Sequence, residues 1–262
     1  MPIKANGIQI NYELSGKKGA PVVALSHSLG SSLVMWNPQM DSLDPHFQVL
    51  RYDIRGHGKS DAPAEPYTLE LLGNDAIGLL DALGIDKVHW VGLSMGGMIG
   101  QCLALNHPHR LRSLALCDTS AMIPKDAQPI WKERIKTLRD KGVGPLLQET
   151  MERWFTPSFL ILNSPMLSII REQFLATSVE GYIGCVEAIR KLNYLDRLAE
   201  IKIPTLILVG QDDPGTPVSA SKAMHERIPN SRLVILRSAH HLSNVEQSEA
   251  FNTAVIEFLK EL

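Results

Sequence analysis

The sequence predicts an α/β protein built on a mostly parallel, doubly wound sheet. Short continuous apolar runs, typical of strands buried on both faces, alternate along the chain with helical patterns. Strands that alternate with helices indicate parallel pairing, and ligands of such sheets bind at the carboxyl ends of the strands. A length of 262 residues fits one α/β domain that carries an insertion better than two independent domains.

The individual elements follow from these patterns. Residues 8–14 alternate between apolar and polar side chains, which predicts an edge strand with one face in water. Patterns typical of helices occupy residues 69–83 and 98–106. Continuous apolar runs predict buried strands at 21–26, 47–52, 88–93, 113–117, 205–209 and 233–236.

The strand and helix alternation lapses after Asp118 for some seventy residues. Short amphipathic helices are predicted there, interrupted by Pro129, by the Gly142–Pro145 stretch, by Pro157 and by Pro165. We interpret residues 121–195 as a helical cap inserted into an α/β core of residues 1–120 and 196–262, placed to fold over the site and exclude water. Its aromatic residues look exposed; they are Trp131, Trp154, Phe155 and Phe159.

Composition excludes several classes of function. The net charge of −2 with mixed signs provides no basic face for nucleic acid or an anionic membrane. No apolar run reaches the length of a membrane span and the N-terminus does not resemble a secretory signal, so we expect a cytoplasmic protein. Three widely spaced cysteines suggest neither disulfides nor zinc, and we expect no metal and no cofactor. The expected partner is a small molecule, and the sequence leaves the oligomeric state open.

A turn from strand to helix at Ser94 is the feature that most directly indicates chemistry. The apolar run at 88–93 precedes it, and small helix-compatible residues follow. The frame Gly92-x-Ser94-x-Gly96 fits a nucleophile elbow, a strained turn in which side chains two residues either side of the serine would clash with their neighbours. Such a turn exposes the serine hydroxyl and puts the Met95 N–H at a helix N-terminus, where it can stabilise an oxyanion.

A serine nucleophile on this fold needs an acid and then a histidine later in the chain. Asp213 lies on the loop after the strand at 205–209, and we prefer it to its neighbour Asp212 because it lies farther into the loop. Asp118, after an earlier strand, is the reserve candidate. The loop after the last predicted strand contains two adjacent histidines, His240 and His241, and the chemistry does not choose between them.

Two loops near the predicted site contain residues that we expect to shape or support it. The Leu29 N–H follows the strand at 21–26 and is positioned to supply a second oxyanion donor beside Met95. His27 precedes the serine in the chain, so we expect it to support this loop and not to carry a proton. Asp53 and Arg55 lie beside two glycines, and we expect them to hold a tight loop at the pocket mouth.

Within the predicted cap, residues 130–135 are candidates for substrate recognition. Arg134 is a candidate anchor for a substrate carboxylate, because a guanidinium binds carboxylates with two parallel hydrogen bonds. The alternative is a solvated helix in which Arg134 pairs with Glu133 or another local acid. We also predict that Trp131 and Trp154 contact the substrate.

Several of these motifs resemble a known family. Residues 92–97, 52–60 and the Gly-x-x-Asp loop at 210–213 resemble α/β-hydrolases in general. Narrower features are similar to 3-oxoadipate enol-lactonases; they are residues 26–30, Trp131 with Arg134 and Ile135, 153–156, 180–182 and above all 239–246. In that family the catalytic histidine immediately precedes Leu-Ser-Asn, so the resemblance selects His241.

The resemblance implies an activity, hydrolysis of 3-oxoadipate enol-lactone to 3-oxoadipate in the breakdown of aromatic compounds. It implies no cofactor and a lactone substrate that carries a carboxylate. One alternative is a general carboxylesterase or cofactor-free haloperoxidase with the same triad. Another is a small-molecule receptor with a vestigial triad. Haloalkane dehalogenation is disfavoured because it requires a carboxylate at the position of Ser94.

Overall fold

The computed structural model describes residues 2–64 and 66–262, and over these residues eight strands form one sheet. In chain order they are β1 (Pro2–Ala5), β2 (Ile8–Gly16), β3 (Val22–Ser26), β4 (Gln48–Tyr52), β5 (Val88–Leu93), β6 (Leu111–Cys117), β7 (Thr205–Gly210) and β8 (Ser231–Leu236). The order across the sheet is β1-β2-β4-β3-β5-β6-β7-β8. β2 pairs antiparallel with β1 and β4, and every other neighbouring pair is parallel. The predicted fold class is confirmed.

Two strand predictions are wrong in their details. β2 is not an edge strand, because β1 covers its outer side. β1 was not predicted, since four residues are too few to show a period; the Asn6-Gly7 turn that joins it to β2, with φ of 44° and 83°, is a strong hairpin signal. β8 was expected to be buried on both faces, but it forms the opposite edge of the sheet, and Ile235 is 39% exposed.

Helices cover the sheet and fill the predicted insertion. Those outside the insertion are α1 (Asn37–Leu43), α2 (Leu69–Ala82), α3 (Met95–Asn106), α9 (Val218–His225), α10 (Ser243–Glu246) and α11 (Ser248–Lys260). Between β6 and β7 lie α4 (Gln128–Lys141), α5 (Leu147–Trp154), α6 (Pro157–Leu162), α7 (Pro165–Leu175) and α8 (Val179–Ile189), which we call the cap helices. None of the helices in the described ranges is both long and apolar enough to cross a lipid bilayer.

The cap helices are more compact than their sequence suggests. Pro129, Pro157 and Pro165, read as interruptions, each lie in the first turn of a helix, where a missing N–H costs nothing. The prediction of exposed aromatics is wrong for Trp154 and Phe155, which are 2% and 0% exposed. Trp154 packs edge-on against a phenylalanine of α7, with 5.8 Å between the ring centroids.

At α8 the backbone of the cap helices lies against the backbone of the core. A Cβ atom on Gly181 of α8 would lie 2.2 Å from the carbonyl oxygen of Gly56, and one on Gly56 would lie 2.4 Å from the Cα of Gly181. Gly56 also has a φ of +81°, a conformation that other residues adopt only with strain. The loop around Gly56 is fixed in turn by Arg55, whose guanidinium pairs with Asp75 of α2 at 2.7 Å. The backbone of α8 therefore lies directly on a braced loop of the core.

Candidate active site

Ser94 lies at the junction of β5 and α3 with φ 54° and ψ −114°, a strained conformation. A Cβ atom on Gly92 would lie 2.1 Å from the carbonyl oxygen of Gly96, and one on Gly96 would lie 2.0 Å from that of Ser26. Both glycines are therefore required by the close approach of backbone to backbone. The Ser94 N–H donates to Cys117 at 2.8 Å, which ties the turn to β6.

Ser94, His241 and Asp213 form a continuous hydrogen-bonded chain. The Ser94 hydroxyl donates to His241 Nε2 at 2.8 Å, and His241 Nδ1 donates to Asp213 Oδ2 at 2.8 Å. Asp213 also accepts hydrogen bonds from the Gly215 N–H at 2.7 Å, from the Thr216 N–H at 3.0 Å and from the Thr216 hydroxyl at 2.6 Å. All three members of the chain are buried. This is the geometry in which a histidine can take the proton of a serine nucleophile.

The environment of Asp213 favours its ionised form. Burial is the largest influence on its pKa and raises it, but the electrostatic interaction with His241 and the hydrogen bonds from His241 and Thr216 together hold the pKa below its ordinary value. An ionised Asp213 fixes the imidazole tautomer that leaves Nε2 free to accept from Ser94, and it stabilises the imidazolium that forms when that proton moves.

The other candidate acids and the second histidine are not members of the hydrogen-bonded chain of Ser94, His241 and Asp213. Asp212 is exposed. Asp118 accepts from the Gly210 N–H at 2.7 Å and from the Ser243 hydroxyl; burial raises its pKa well above the ordinary value, and the charge of Asp213 raises it further. His240 bonds through its ring to the Glu152 carbonyl at 3.3 Å.

The loop after β3 approaches the elbow from the other side. The Gly96 N–H donates to the His27 carbonyl at 3.1 Å, which fixes the loop against the start of α3. The N–H groups of Leu29 and Met95 have no acceptor within residues 2–64 and 66–262, and Leu29 lines the same cavity as Ser94. An oxyanion hole is built from such free N–H groups, one next to the serine and one on a neighbouring loop, and this role of Leu29 and Met95 stays a prediction.

His27 is engaged in supporting this loop. Its Nδ1 donates to the Ser28 carbonyl at 2.7 Å, and its Nε2 accepts from the Ile54 N–H at 2.9 Å. Burial lowers the pKa of His27 to about 4 and that of the neighbouring His57 to about 3, so both are neutral at pH 7. His57 accepts from the Gly30 N–H at 2.9 Å. Both ring nitrogens of His27 are thus occupied within the loops that surround the elbow.

A cavity of about 300 Å³ lies over Ser94 and His241, between the core and the cap helices. Trp131, Arg134 and Trp154, the three predicted substrate contacts, all line it. Much of the remaining wall is apolar; it includes Leu29, Met98, Ile123, Pro124, Ala127, Ile130 and Ile189. A mostly apolar cavity with a few convergent polar groups is typical of a small-molecule site.

The polar groups of the cap wall are two arginines that share one carboxylate. Arg134 is buried, lies over the Trp131 ring at 5.4 Å and contacts Glu149 Oε1 at 3.2 Å. Arg153, one turn along α5 from Glu149, contacts the same oxygen at 3.7 Å. Arg134 therefore faces the cavity and also pairs with a local acid, although that acid is Glu149 and not Glu133. Its role as an anchor for a substrate carboxylate stays a prediction.

Arg153 is a site residue that the sequence reasoning missed. Burial lowers its pKa, and the positive charge of Arg134 lowers it further. Two guanidiniums and one carboxylate leave this wall with a net charge of about +1 at neutral pH. The local signals were that Arg153 precedes Trp154 and begins the 153–156 motif, and nothing in the sequence shows that α4 and α5 bring their arginines together. A net positive charge on this wall favours an anion in the cavity.

No metal centre is visible in the described ranges. Within residues 2–64 and 66–262, no three side chains of His, Cys, Asp or Glu come together in a way that could hold a metal ion. The three cysteines, Cys102, Cys117 and Cys185, are free thiols in the interior. Ser94, His241, Glu149 and the two arginines line the cavity.

Comparison with known proteins places this fold and site in a class. Residues 21–248 match the model of the alpha/beta hydrolase fold family, and the chain belongs to that family. Over 98% of its length it is 37% identical to 3-oxoadipate enol-lactonase 2 of Acinetobacter baylyi, covering 96% of that protein. The resemblance expected from the sequence motifs is thereby confirmed.

A solved structure and a further relative extend the comparison. The crystal structure of the enol-lactonase from Burkholderia xenovorans LB400 superimposes with a TM-score of 0.96 and 38% identity, covering 99% of this chain and 100% of that one. A putative carbamate hydrolase RutD of a Caulobacter species is 32% identical over 90% of both chains. The chain is therefore a hydrolase of the α/β fold.

Proposed function

We propose that the protein hydrolyses 3-oxoadipate enol-lactone to 3-oxoadipate with Ser94, His241 and Asp213. The observation that carries the proposal is that one small cavity is lined by both a histidine-paired serine and an arginine pair. The substrate is a lactone that also carries a carboxylate, so it matches both groups. The full-length similarity to two enol-lactonases supports the choice of substrate.

The first half of the reaction opens the ring. His241 Nε2 takes the proton of Ser94 as Oγ bonds to the lactone carbonyl carbon, while the Leu29 and Met95 N–H groups bind the developing oxyanion. Each such donor typically contributes about 10²- to 10³-fold to the rate. The ring C–O bond then breaks, and His241 returns the proton to the leaving oxygen, which becomes an enol. Conversion of the enol to a ketone makes ring opening hard to reverse.

The second half releases the acyl group. His241, neutral again, removes a proton from water as the water oxygen attacks the ester on Ser94. The new tetrahedral carbon expels Ser94 Oγ, which regains its proton from His241, and a carboxylic acid leaves. Throughout, Arg134 and Arg153 would hold the distal carboxylate, so the reacting carbonyl stays in one position relative to Ser94.

The decisive experiment measures kcat/KM for 3-oxoadipate enol-lactone and for p-nitrophenyl acetate, with wild-type protein and with Ser94→Ala. We expect a strong preference for the lactone and loss of both activities in the variant. Lactone hydrolysis that survives Ser94→Ala would refute the assignment of the nucleophile. A burst of one product per enzyme without further turnover would point instead to a receptor with a vestigial triad.

A general carboxylesterase is the second candidate, and one observation favours it. Glu149 already pairs with Arg134 at 3.2 Å, so Arg134 has a partner within the protein even when the substrate is an uncharged ester. Comparable kcat/KM values for the lactone and p-nitrophenyl acetate, both abolished by Ser94→Ala, would favour this candidate. A putative carbamate hydrolase among the relatives makes a neutral carbamate a useful third substrate in the same assay.

A further inference from the structure

Glu246, the last residue of α10, joins the histidine loop to the cap helices through its carboxylate. One oxygen, Oε1, accepts from the Thr156 N–H at 3.0 Å and from the Thr156 hydroxyl. The other, Oε2, accepts from the His240 N–H at 2.9 Å, the peptide group immediately before His241. The side chain is half-buried, and each of its two oxygens accepts from a protein donor.

Further hydrogen bonds reinforce the same junction. The Leu242 N–H, on the other side of His241, donates to the Trp154 carbonyl at 3.0 Å. The His240 ring bonds to the Glu152 carbonyl at 3.3 Å. Both residues that flank His241 are therefore bound to residues 152–156, the segment that contains Arg153 and Trp154 of the cavity wall.

The chemistry of this junction is that of positioning and not of charge neutralisation. Glu246 makes no ion pair with any Lys, Arg or His in the part of the chain that the structure describes. A carboxylate that accepts from N–H and O–H donors on two different segments holds those donors at a fixed separation, because such charge-assisted hydrogen bonds are short and strong.

We propose that Glu246 is a positioning residue that fixes the distance between His241 and the anion-binding Arg153. The inference rests on the proposed function, since it assigns Arg153 to the substrate carboxylate. A substrate that engages both ends of the cavity needs that distance to be correct, whereas a small neutral ester engages only the Ser94 end. Loss of Glu246 should therefore reduce turnover of carboxylate-bearing esters selectively.

The test uses Glu246→Gln in the full chain, with Glu249→Gln of α11, an exposed acid, as the matched control. The Gln variant keeps the size of the side chain but replaces one acceptor oxygen with an NH₂ group. Substrates are the enol-lactone, the anionic ester mono-p-nitrophenyl glutarate and neutral p-nitrophenyl acetate. We expect kcat for both anionic substrates to fall about 10- to 100-fold, the loss that a misplacement of about 1 Å causes. For p-nitrophenyl acetate and for the control we expect little change.

A double-mutant cycle with Thr156→Val separates positioning from general damage. Glu246→Gln and Thr156→Val both weaken the same junction between the histidine loop and the cap helices, so the two substitutions should be strongly non-additive in kcat for the anionic ester. If Glu246→Gln fails to fold, Thr156→Val provides the test, with Thr156→Ser as its control, because this hydroxyl also caps α6 by accepting from the Phe159 N–H. Additive effects, equal losses on neutral and anionic esters, or no loss at all would overturn the inference.

The same assay keeps this failure distinct from failure of the proposed function. If wild-type protein hydrolyses mono-p-nitrophenyl glutarate no better than p-nitrophenyl acetate, the anion site itself is refuted, and the inference about Glu246 with it. If wild-type protein prefers the anionic substrates and Glu246→Gln preserves that preference, only the positioning role is wrong.

Discussion

Replacement of Arg153 by methionine should abolish the preference for carboxylate-bearing substrates. In the wild-type wall Arg134 and Arg153 share Glu149, with contacts of 3.2 and 3.7 Å to the same oxygen, which leaves one positive charge for the substrate. Without Arg153 the remaining Arg134 and Glu149 form a neutral pair. Methionine retains most of the apolar stem of the side chain, so the cavity wall keeps its packing.

The size of the effect follows from the interaction that is lost. A hydrogen bond to a charged group contributes about 1.5–3 kcal/mol, and each 1.4 kcal/mol is a factor of ten. We therefore expect kcat/KM for the enol-lactone to fall about 10- to 150-fold. Neutral p-nitrophenyl acetate makes no use of this charge, and its kcat/KM should change less than about threefold.

Steady-state kinetics with the two substrates side by side provides the assay. Arg139→Met is the matched control, because Arg139 is an exposed arginine on α4, the helix that also contains Arg134. Equal losses for the two substrates would show that Arg153 supports the fold and not the anion site. An unchanged kcat/KM for the lactone would refute its assignment to the substrate carboxylate.

Two further predictions test the charges around the site. Glu149→Gln removes the carboxylate that competes with the substrate for both arginines, so KM for the lactone should fall several-fold. The kcat/KM for p-nitrophenyl acetate should stay unchanged. A rise in KM for the lactone would mean that Glu149 orders the arginines instead. Asp118→Asn should raise the thermal midpoint relative to wild type more at pH 8 than at pH 4.5. Because burial raises the pKa of Asp118, the wild-type free energy of unfolding falls as pH rises above about 4 towards the folded pKa, and asparagine does not titrate. A midpoint difference that stays constant or shrinks with rising pH would contradict the raised pKa.

The elbow could be predicted because its sequence pattern is local, and the order of its partners could be predicted because the fold determines it. Steric limits at residues 92–96 are visible in the sequence itself, and the fold requires the acid and the histidine to follow in known loops. The choice between adjacent candidates was harder, since Asp212 and Asp213 lie on the same loop and differ in the direction in which their side chains point. Resemblance, and not chemistry, selected His241.

The cap could not be predicted to the same depth, because its contacts depend on how five short helices pack. Trp154 looked exposed in isolation, but α7 buries it. Arg153 and Arg134 come from different helices and meet only at Glu149, and Glu246 reaches Thr156 across ninety residues of chain. Each of these contacts joins distant segments, and no periodicity along a single sequence encodes such a meeting.

The contact between Gly56 and Gly181 bears on how this enzyme could be redesigned. Transplanting the cap helices from a relative would succeed only if both partners retained glycine, because a single methyl group at either position would lie less than 2.5 Å from the opposing backbone. The natural boundary for such a graft therefore excludes α8, which would stay with the recipient. Libraries intended to alter substrate choice are better directed at the cavity-lining side chains of α4 and α5, with the backbone of α5 left in place because its Trp154 carbonyl binds Leu242.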